Sequence, residues 1–184
     1  MDFYELIQQR YSVRSYRPDP VSPEKLQQVL EAAQLAPSAA NRQPFRLIVV
    51  RTEGRENELR LIYGRDWFVQ APYVIGICTV PAEAWSRADG KNYADVDATI
   101  AMDHLVLAAA EIGLGTCWVG AFDAKAARDV LGLPADVEPI AFTPLGLPAD
   151  QARPKRRRDL AELVHYDRWN PRPGAQVKAD RARG

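Results

Sequence analysis

The chain has 184 residues, of which 47% are hydrophobic and 26% charged, as is typical of one globular domain and not of a disordered protein. Lysine plus arginine equals aspartate plus glutamate at 24 each, so no net field attracts nucleic acid or an anionic membrane. Because the chain also lacks an apolar run of membrane-spanning length and a signal-peptide pattern, we expect a cytoplasmic protein without nucleic-acid or membrane partners.

Apolar spacing and turn-forming residues predict helices and strands in an irregular order. The predicted helices are 2–10, 23–35, weakly 56–63, 95–113 and 124–132. The predicted strands are 45–51, 73–80, 116–122 and 138–148, the last interrupted at Pro144. The helix at 95–113 is apolar almost all round and should be buried. We expect one domain over 1–169 and a loose tail at 170–184.

Neither cysteine nor histidine patterns predict a metal site. Cys78 and Cys117 lie inside the apolar runs "VIGICTV" and "GTCWVG", which favours buried free thiols in a reducing compartment. His104 and His165 stand apart from other candidate ligands, so no metal is expected.

Two basic clusters and one polar loop are the candidates for chemistry. In "QQRYSVRSYRPDP", an extended chain projects Arg10, Ser12 and Arg14 to one side, where they form either a solvated face or a phosphate site. The stretch "RPKRRRD", residues 153–159, is either an exposed connection or a second anion site. The loop "APSAANRQPF" offers the amides of Asn41 and Gln43, which suit a heteroaromatic ring edge, although such loops are usually plain turns.

In this order, four segments of the chain resemble the flavin-dependent nitroreductase family. They are "RYSVRSYR", "APSAANRQPFRLIVV", "GLGTCWVGAFD" and "PLGLPADQARPKRRRDLAELVHYDRW", and the resemblance spans residues 2 to about 169. It implies an α+β three-layer sandwich with a central mixed, mainly antiparallel sheet flanked by helices. It also implies a homodimer that binds FMN at the subunit interface.

The resemblance also implies roles for individual residues. Arg10, Ser12 and Arg14 would hold the flavin phosphate and pyrimidine side, and Tyr11 lies where a backbone contact is expected. A second set would approach the flavin from the other subunit or bind its ribityl chain: Pro37, Ser38, Ala39, Asn41 and Gln43. A third would lie against the reactive face: Trp118, Val119, Gly120 and Ala121. Lys155 and Arg157 would bind the phosphate, with Arg156 and Arg158 as solvated neighbours.

Two departures from the family pattern concern the flavin site. Some members place an amide and a lysine ahead of the second strand, where this chain has Gly64 and Trp67. The connection before the long helix is also short, and Trp85 and Tyr93 either line a more open site or pack in the core or on the surface.

The implied function is an oxidoreductase in which NADH or NADPH reduces FMN and a small electron acceptor is then reduced. No catalytic side chain is expected, because the cofactor carries the chemistry at N5, with the backbone of Gly120 and Ala121 nearby. Two alternatives remain: a flavin enzyme that does not use nicotinamide, and a non-enzymatic module that binds nucleic acid or an acidic partner through "RPKRRRD".

Overall fold

The computed structural model describes residues 1–169, so the tail predicted at 170–184 lies outside the described residues. Contacts divide the chain into two units, Met1–Ala152 and a second that begins at Arg153. The single domain predicted for 1–169 therefore stays a prediction, and each unit is described by itself.

The first unit contains five helices longer than one 3-10 turn and four strands. The helices are α1 (Phe3–Gln9), α2 (Pro23–Gln34), α3 (Glu56–Ile62), α4 (Ala94–Glu111) and α5 (Ala124–Leu131). The strands are β1 (Phe45–Arg51), β2 (Tyr73–Thr79), β3 (Gly115–Thr116) and β4 (Glu138–Gly146). Short 3-10 turns lie at Ala39–Asn41, Asp66–Val69 and Pro81–Glu83.

Local sequence signals explain several helix ends. Ser22 caps α2 by accepting a hydrogen bond from the Lys25 N–H at 3.3 Å, and Pro23 occupies the first helical position, where its missing N–H has no effect. Gly132 ends α5 in the left-handed conformation, with φ of 63°. Both ends agree with the prediction from the sequence.

The four strands form one sheet in the order β1-β2-β4-β3, and every neighbouring pair is antiparallel. The parallel component is an isolated bridge between Ser12 and Thr116. The predicted α+β architecture with a mainly antiparallel sheet is thus confirmed.

Helices cover both faces of the sheet because its central strands alternate apolar side chains between two cores. On one face, Ile75 and Ile77 of β2 lie in the core that includes Leu105 of α4. On the other face, Val74 of β2 and Phe142 of β4 lie in the core that includes residues of α3 and α5. The helix α4 buries one face, so the burial predicted for the whole helix is limited to that face. The opposite side is exposed, at Asp95, Val96, Thr99 and Asp103.

Two predictions about the second half of the sheet are wrong. The strand β4 continues through Pro144, which is paired with Val74 of β2, although an interruption was expected. The strand predicted over 116–122 is limited to Gly115–Thr116. These two errors are linked, since the residue after Thr116 would face Pro144, which has no N–H to continue the ladder.

The regular ladder ends at this point, and the chain makes two further contacts with β4. The N–H of Cys117 donates instead to the Thr143 side-chain oxygen at 3.0 Å. The chain then rejoins β4 at Val119, which exchanges hydrogen bonds of 2.8 and 3.0 Å with Phe142.

In the second unit, the described residues include the short helix α6 (Leu160–Leu163). The rings of His165 and Trp169 stack there at a centroid distance of 4.2 Å.

Candidate functional site

The segment that carries Arg10, Ser12 and Arg14 lies directly beside β3. The N–H of Val13 donates to the Thr116 carbonyl at 2.9 Å, and Ser12 forms the parallel bridge with the same residue. The extended conformation predicted for this segment is therefore present, and it is held by the sheet edge. Val13 is buried, so the alternate residues on either side face away from the core.

The buried thiol of Cys117 lies near enough to the arginine segment to be influenced by its charges. Burial raises the pKa of Cys117, whereas the positive charge of Arg14, a hydrogen bond with Ser12 and the positive charge of Arg10 lower it, and the negative charge of Asp150 adds to the rise. Two guanidinium groups and a hydroxyl on one extended segment form a donor set that suits an anion.

Asp150 fixes this segment from the other side and was missed by sequence reasoning. Its Oδ2 accepts a hydrogen bond from the Arg14 N–H at 2.8 Å, and its carbonyl accepts one from the Tyr11 hydroxyl at 2.8 Å. Burial, followed by the negative charge of Asp150, raises the pKa of Tyr11. Because the hydroxyl of Tyr11 is engaged within the protein, its backbone is the part left for a ligand.

Trp67, which replaces a polar residue of the family pattern, supports the same segment. The guanidinium of Arg14 lies 5.9 Å from the centre of the Trp67 ring, within the range of a cation–π contact. Tyr63 and Phe68 hold that ring by edge-to-face contacts with centroid distances of 5.5 and 6.4 Å. The aromatic ring of Trp67 therefore helps to orient the guanidinium of Arg14.

The next predicted segment, 118–121, follows β3 immediately and is largely exposed. Val119 is buried through its bridge to β4, but Trp118 is 40% exposed. Within the described part of the chain, the N–H groups of Trp118, Gly120 and Ala121 have no hydrogen-bond acceptor. A row of unpaired donors on an exposed segment is suited to a ligand that carries acceptor atoms.

The loop that contains Pro37, Ser38, Ala39, Asn41 and Gln43 lies between α2 and β1 and has its own hydrogen-bond network. The Ser38 hydroxyl accepts from the Gln43 N–H at 3.0 Å, and the Gln43 side-chain amide donates to Asn41 Oδ1 at 3.0 Å. The N–H of Ala39 donates to Asp97 Oδ1 on α4 at 2.9 Å.

The predicted residues thus form four groups: the arginine segment, the segment 118–121, the loop 37–43, and Lys155 with Arg157. The Val13–Thr116 hydrogen bond places the first group beside β3, which precedes the second group in the chain. Among the described residues, no hydrogen bond connects the loop 37–43 to either of them. Lys155 and Arg157 belong to the second unit, in which Arg157 donates to the Arg156 carbonyl at 2.9 Å.

The aromatic pair Trp85 and Tyr93 is packed together. Their rings meet edge to face at 5.1 Å, and the Tyr93 N–H donates to the Trp85 carbonyl at 3.0 Å. A bridge between Ser86 and Asn92 closes the hairpin between them. Both rings are half-buried, so the packing role is observed and a role in lining a site stays a prediction.

Two classes of site find no support in residues 1–169. These residues contain no cluster of three or more histidine, cysteine or acidic side chains that could hold a metal ion. No helix in the same range has the length and apolar character needed to cross a membrane. Cys78 and Cys117 are both free and buried, as predicted.

Comparison with known proteins identifies the family. The model of the nitroreductase family matches residues 7–65 and 55–147. The chain belongs to the nitroreductase family. The matched ranges contain the arginine segment, the loop 37–43 and the segment 118–121.

Related nitroreductase-family sequences and structures cover most of the chain. A Thermus thermophilus protein named NADH dehydrogenase is 30% identical over 186 residues, covering 84% of this chain and 91% of its own. A Bacillus subtilis protein named FMN reductase [NAD(P)H] is 30% identical over 175 residues, covering 86% and 70%. The crystal structure of a nitroreductase family protein from Clostridium difficile is 36% identical, with a TM-score of 0.85, and covers 92% of this chain and all of its own.

Proposed function

We propose that this nitroreductase-family chain is an FMN-dependent oxidoreductase that uses NADH or NADPH to reduce a nitroaromatic, a quinone or a similar flat electrophile. The observation that carries the proposal is the Val13–Thr116 hydrogen bond. It places the segment with Arg10, Ser12 and Arg14 beside the strand that leads into the unpaired backbone donors, which supports a ligand with a phosphate at one end and a heteroaromatic ring at the other. The names of the relatives support the same reductants and cofactor.

The phosphate would be held first by Arg10 and Ser12, with Arg14 directed to the pyrimidine side of the ring. Guanidinium groups remain charged and match phosphate oxygens in pairs. Lys155 and Arg157 are proposed to bind the same phosphate on the ground of the family resemblance.

The flavin ring would lie against the segment 118–121, where the unpaired N–H groups of Gly120 and Ala121 donate toward the ring near N5. When bound, FMN would supply the redox chemistry, namely hydride transfer from NADH or NADPH to the acceptor by a ping-pong mechanism. The protein's own contribution is binding, orientation and charge: Arg14 and Arg10 stabilise negative charge on the ring and phosphate. No side chain has to remove a proton from the substrate, which fits the lack of an acid–base pair in the segments 10–14 and 118–121.

The loop 37–43 would reach the flavin of a second copy of the chain. Its amides are exposed, and among the described residues it makes no hydrogen bond with the arginine segment or the segment 118–121 of its own protomer. A homodimer supplies the loop from the partner and so completes two identical sites. Such pairing across a two-fold axis is the commonest oligomeric arrangement of soluble proteins.

The absorbance spectrum of the purified protein tests this function. We expect a yellow protein with bound FMN, which loses its colour when NADH or NADPH is added without oxygen and regains it when a quinone follows. Arg10→Ala should weaken FMN binding by about 10- to 100-fold, as expected for loss of charged hydrogen bonds. Arg17→Ala is the matched control, because the Arg17 guanidinium is exposed and paired with Asp19 at 2.9 Å.

Other results would point to the alternatives. If neither NADH nor NADPH bleached the bound flavin, an enzyme that uses FMN with another reductant would be favoured. A colourless protein that takes up no FMN and binds nucleic acid with a steep salt dependence would favour the module based on the basic stretch.

A further inference from the structure

Asp97 is a buried carboxylate, and its hydrogen bond involves only one of its two oxygen atoms. It lies in the first turn of α4 and is 1% exposed. Its Oδ1 accepts from the Ala39 N–H at 2.9 Å, whereas its Oδ2 is buried and has no hydrogen-bond partner within the described residues. Burying a carboxylate with so few donors is unfavourable for folding, so its position requires an explanation other than stability.

The loop bound by Asp97 has an unfavourable backbone conformation. Three of its residues that carry a Cβ have positive φ angles: Ala40 at 51°, Asn41 at 54° and Gln43 at 49°. The left-handed region is disfavoured for such residues, most clearly for alanine. A loop of this kind persists only where surrounding contacts impose it, and the Asp97–Ala39 bond is the contact that ties its first turn to the protein core.

This conformation determines which polar atoms the loop presents. The Gln43 side-chain NH₂ donates to the backbone carbonyl and to Oδ1 of Asn41, at 3.1 and 3.0 Å. In the described part of the chain, Asn41 Nδ2 and Gln43 Oε1 then have no hydrogen-bond partner, so one donor and one acceptor stand side by side. A heteroaromatic ring edge with an adjacent carbonyl and ring nitrogen requires such a pair.

We propose that Asp97 is a positioning residue for the cofactor site. It acts through the Ala39 N–H and holds the loop 37–43 in its left-handed conformation, so that the amides of Asn41 and Gln43 are aligned before FMN binds. The inference rests on the proposed function for the identity of the ligand. The contact between Asp97 and the loop can be tested without the ligand.

Two substitutions at position 97 separate the hydrogen-bond acceptor from the negative charge. Asp97→Ala removes the acceptor, whereas Asp97→Asn keeps a carbonyl oxygen for the Ala39 N–H and removes only the charge. Asp95→Ala is the matched control, because Asp95 is an exposed carboxylate two residues away on the same helix.

The first measurement is hydrogen exchange of the loop amides in the apoprotein. Asn41 N–H donates to the Ser38 carbonyl at 3.0 Å and Arg42 N–H to the Ala39 carbonyl at 3.1 Å, so both report on the loop. Asp97→Ala should speed their exchange at least tenfold, whereas Asp97→Asn and Asp95→Ala should stay within about threefold of the parent protein.

The second measurement is the FMN dissociation constant together with the visible spectrum of the bound flavin. Asp97→Ala should raise the constant by about tenfold and alter the flavin band shape, and Asp97→Asn should restore both. A residue that only supported folding would lower the melting temperature without this rescue.

If Asp97→Ala does not fold, Ala39→Pro removes the donor of the same bond. Proline is compatible with the first position of the turn, and Ser38, with φ of −138° and ψ of 156°, tolerates a following proline. Exchange at Asn41 should then rise as in Asp97→Ala.

Three results would overturn the inference: unchanged loop exchange in Asp97→Ala, unchanged exchange in Ala39→Pro, or equal losses in Asp97→Ala and Asp97→Asn. A protein that binds no FMN would remove the proposed function, while the exchange data would still decide whether Asp97 holds the loop.

Discussion

The two cysteines occupy buried positions of different character. Cys117 follows β3, and the positive charges of Arg14 and Arg10 partly oppose the effect of burial on its pKa. Cys78 of β2 is completely buried, and its pKa is raised to about 11 from the ordinary 9.0, chiefly by burial, with a smaller opposing effect of Arg128. Neither thiol ionises at neutral pH, so their chemistry there is that of small apolar groups.

The pKa of Cys78 predicts how stability depends on pH. The folded state keeps the thiol proton up to about pH 11, whereas the unfolded state loses it near pH 9. The protonated Cys78 thiol therefore makes its full contribution to the free energy of unfolding below pH 9. This contribution, roughly 3 kcal/mol in total, is lost as the pH rises toward 11. Urea unfolding should show that raising the pH from 8 to 11 lowers the free energy of unfolding less in Cys78→Ala than in the parent protein. Equal losses in both proteins would contradict this pKa.

At the scale of elements, the arginine segment and β3 are joined by a close approach that only glycine allows. An ideal Cβ on Gly115 would lie 2.7 Å from Cγ2 of Val13 and 3.0 Å from its Cβ. Because Val13 is buried and β-branched, it has little freedom to move aside. The position of the cation cluster therefore depends on the small size of one residue in the sheet.

Gly115→Ala should displace Val13 and the segment that contains Arg10 and Arg14. We expect the free energy of unfolding to fall by about 1–3 kcal/mol, as for other overpacked sites, and FMN binding to weaken. Gly64→Ala is the control, because its nearest neighbour would be the Arg60 carbonyl oxygen at an ordinary 3.8 Å. Denaturant unfolding and flavin titration of both variants measure the two effects. A Gly115→Ala protein as stable as the control would show that the close approach is not maintained in solution.

At the scale of the whole molecule, the first unit exposes an apolar surface formed by three helices. Phe3 of α1 is 61% exposed, and Leu35, which follows α2, is 79% exposed. With Leu6, Ala32, His104 and Leu107 they line a groove of about 270 Å³. Apolar surface of this kind marks an interaction site, and Leu35 lies two residues before the loop 37–43 that we assign to the site of a second copy.

Leu35→Lys should therefore disrupt the proposed homodimer. We expect the parent protein to sediment at twice the chain mass of 20.6 kDa and the variant at the mass of a single chain, with weaker FMN binding because the partner's loop is lost. Leu61→Lys is the control, because Leu61 is 65% exposed on α3 and outside the groove. A parent protein that sediments as a monomer while binding FMN tightly would contradict a site shared between copies.

The accuracy of the sequence predictions follows the range of the interactions. Helix α2, with its Ser22 cap, and the extent of helix α4 were predicted closely because periodicity and capping are local properties, whereas the exposed side of α4 was not predicted. The contact of Asp97 with Ala39 joins residues 58 positions apart, and that of Asp150 with Arg14 joins residues 136 apart. No local pattern distinguishes these two aspartates from solvated ones, so the supports of the candidate site emerge only from the fold.

The unpaired N–H groups after β3 have a consequence for the choice of ligand. Val119 exchanges hydrogen bonds with Phe142 of β4, whereas the N–H groups of Trp118, Gly120 and Ala121 have no acceptor within residues 1–169. If a flat molecule covered these groups, each donor left unmatched would weaken binding by about 1–3 kcal/mol. We therefore expect a ligand at this segment to be a ring that carries acceptor atoms and not a flat hydrocarbon.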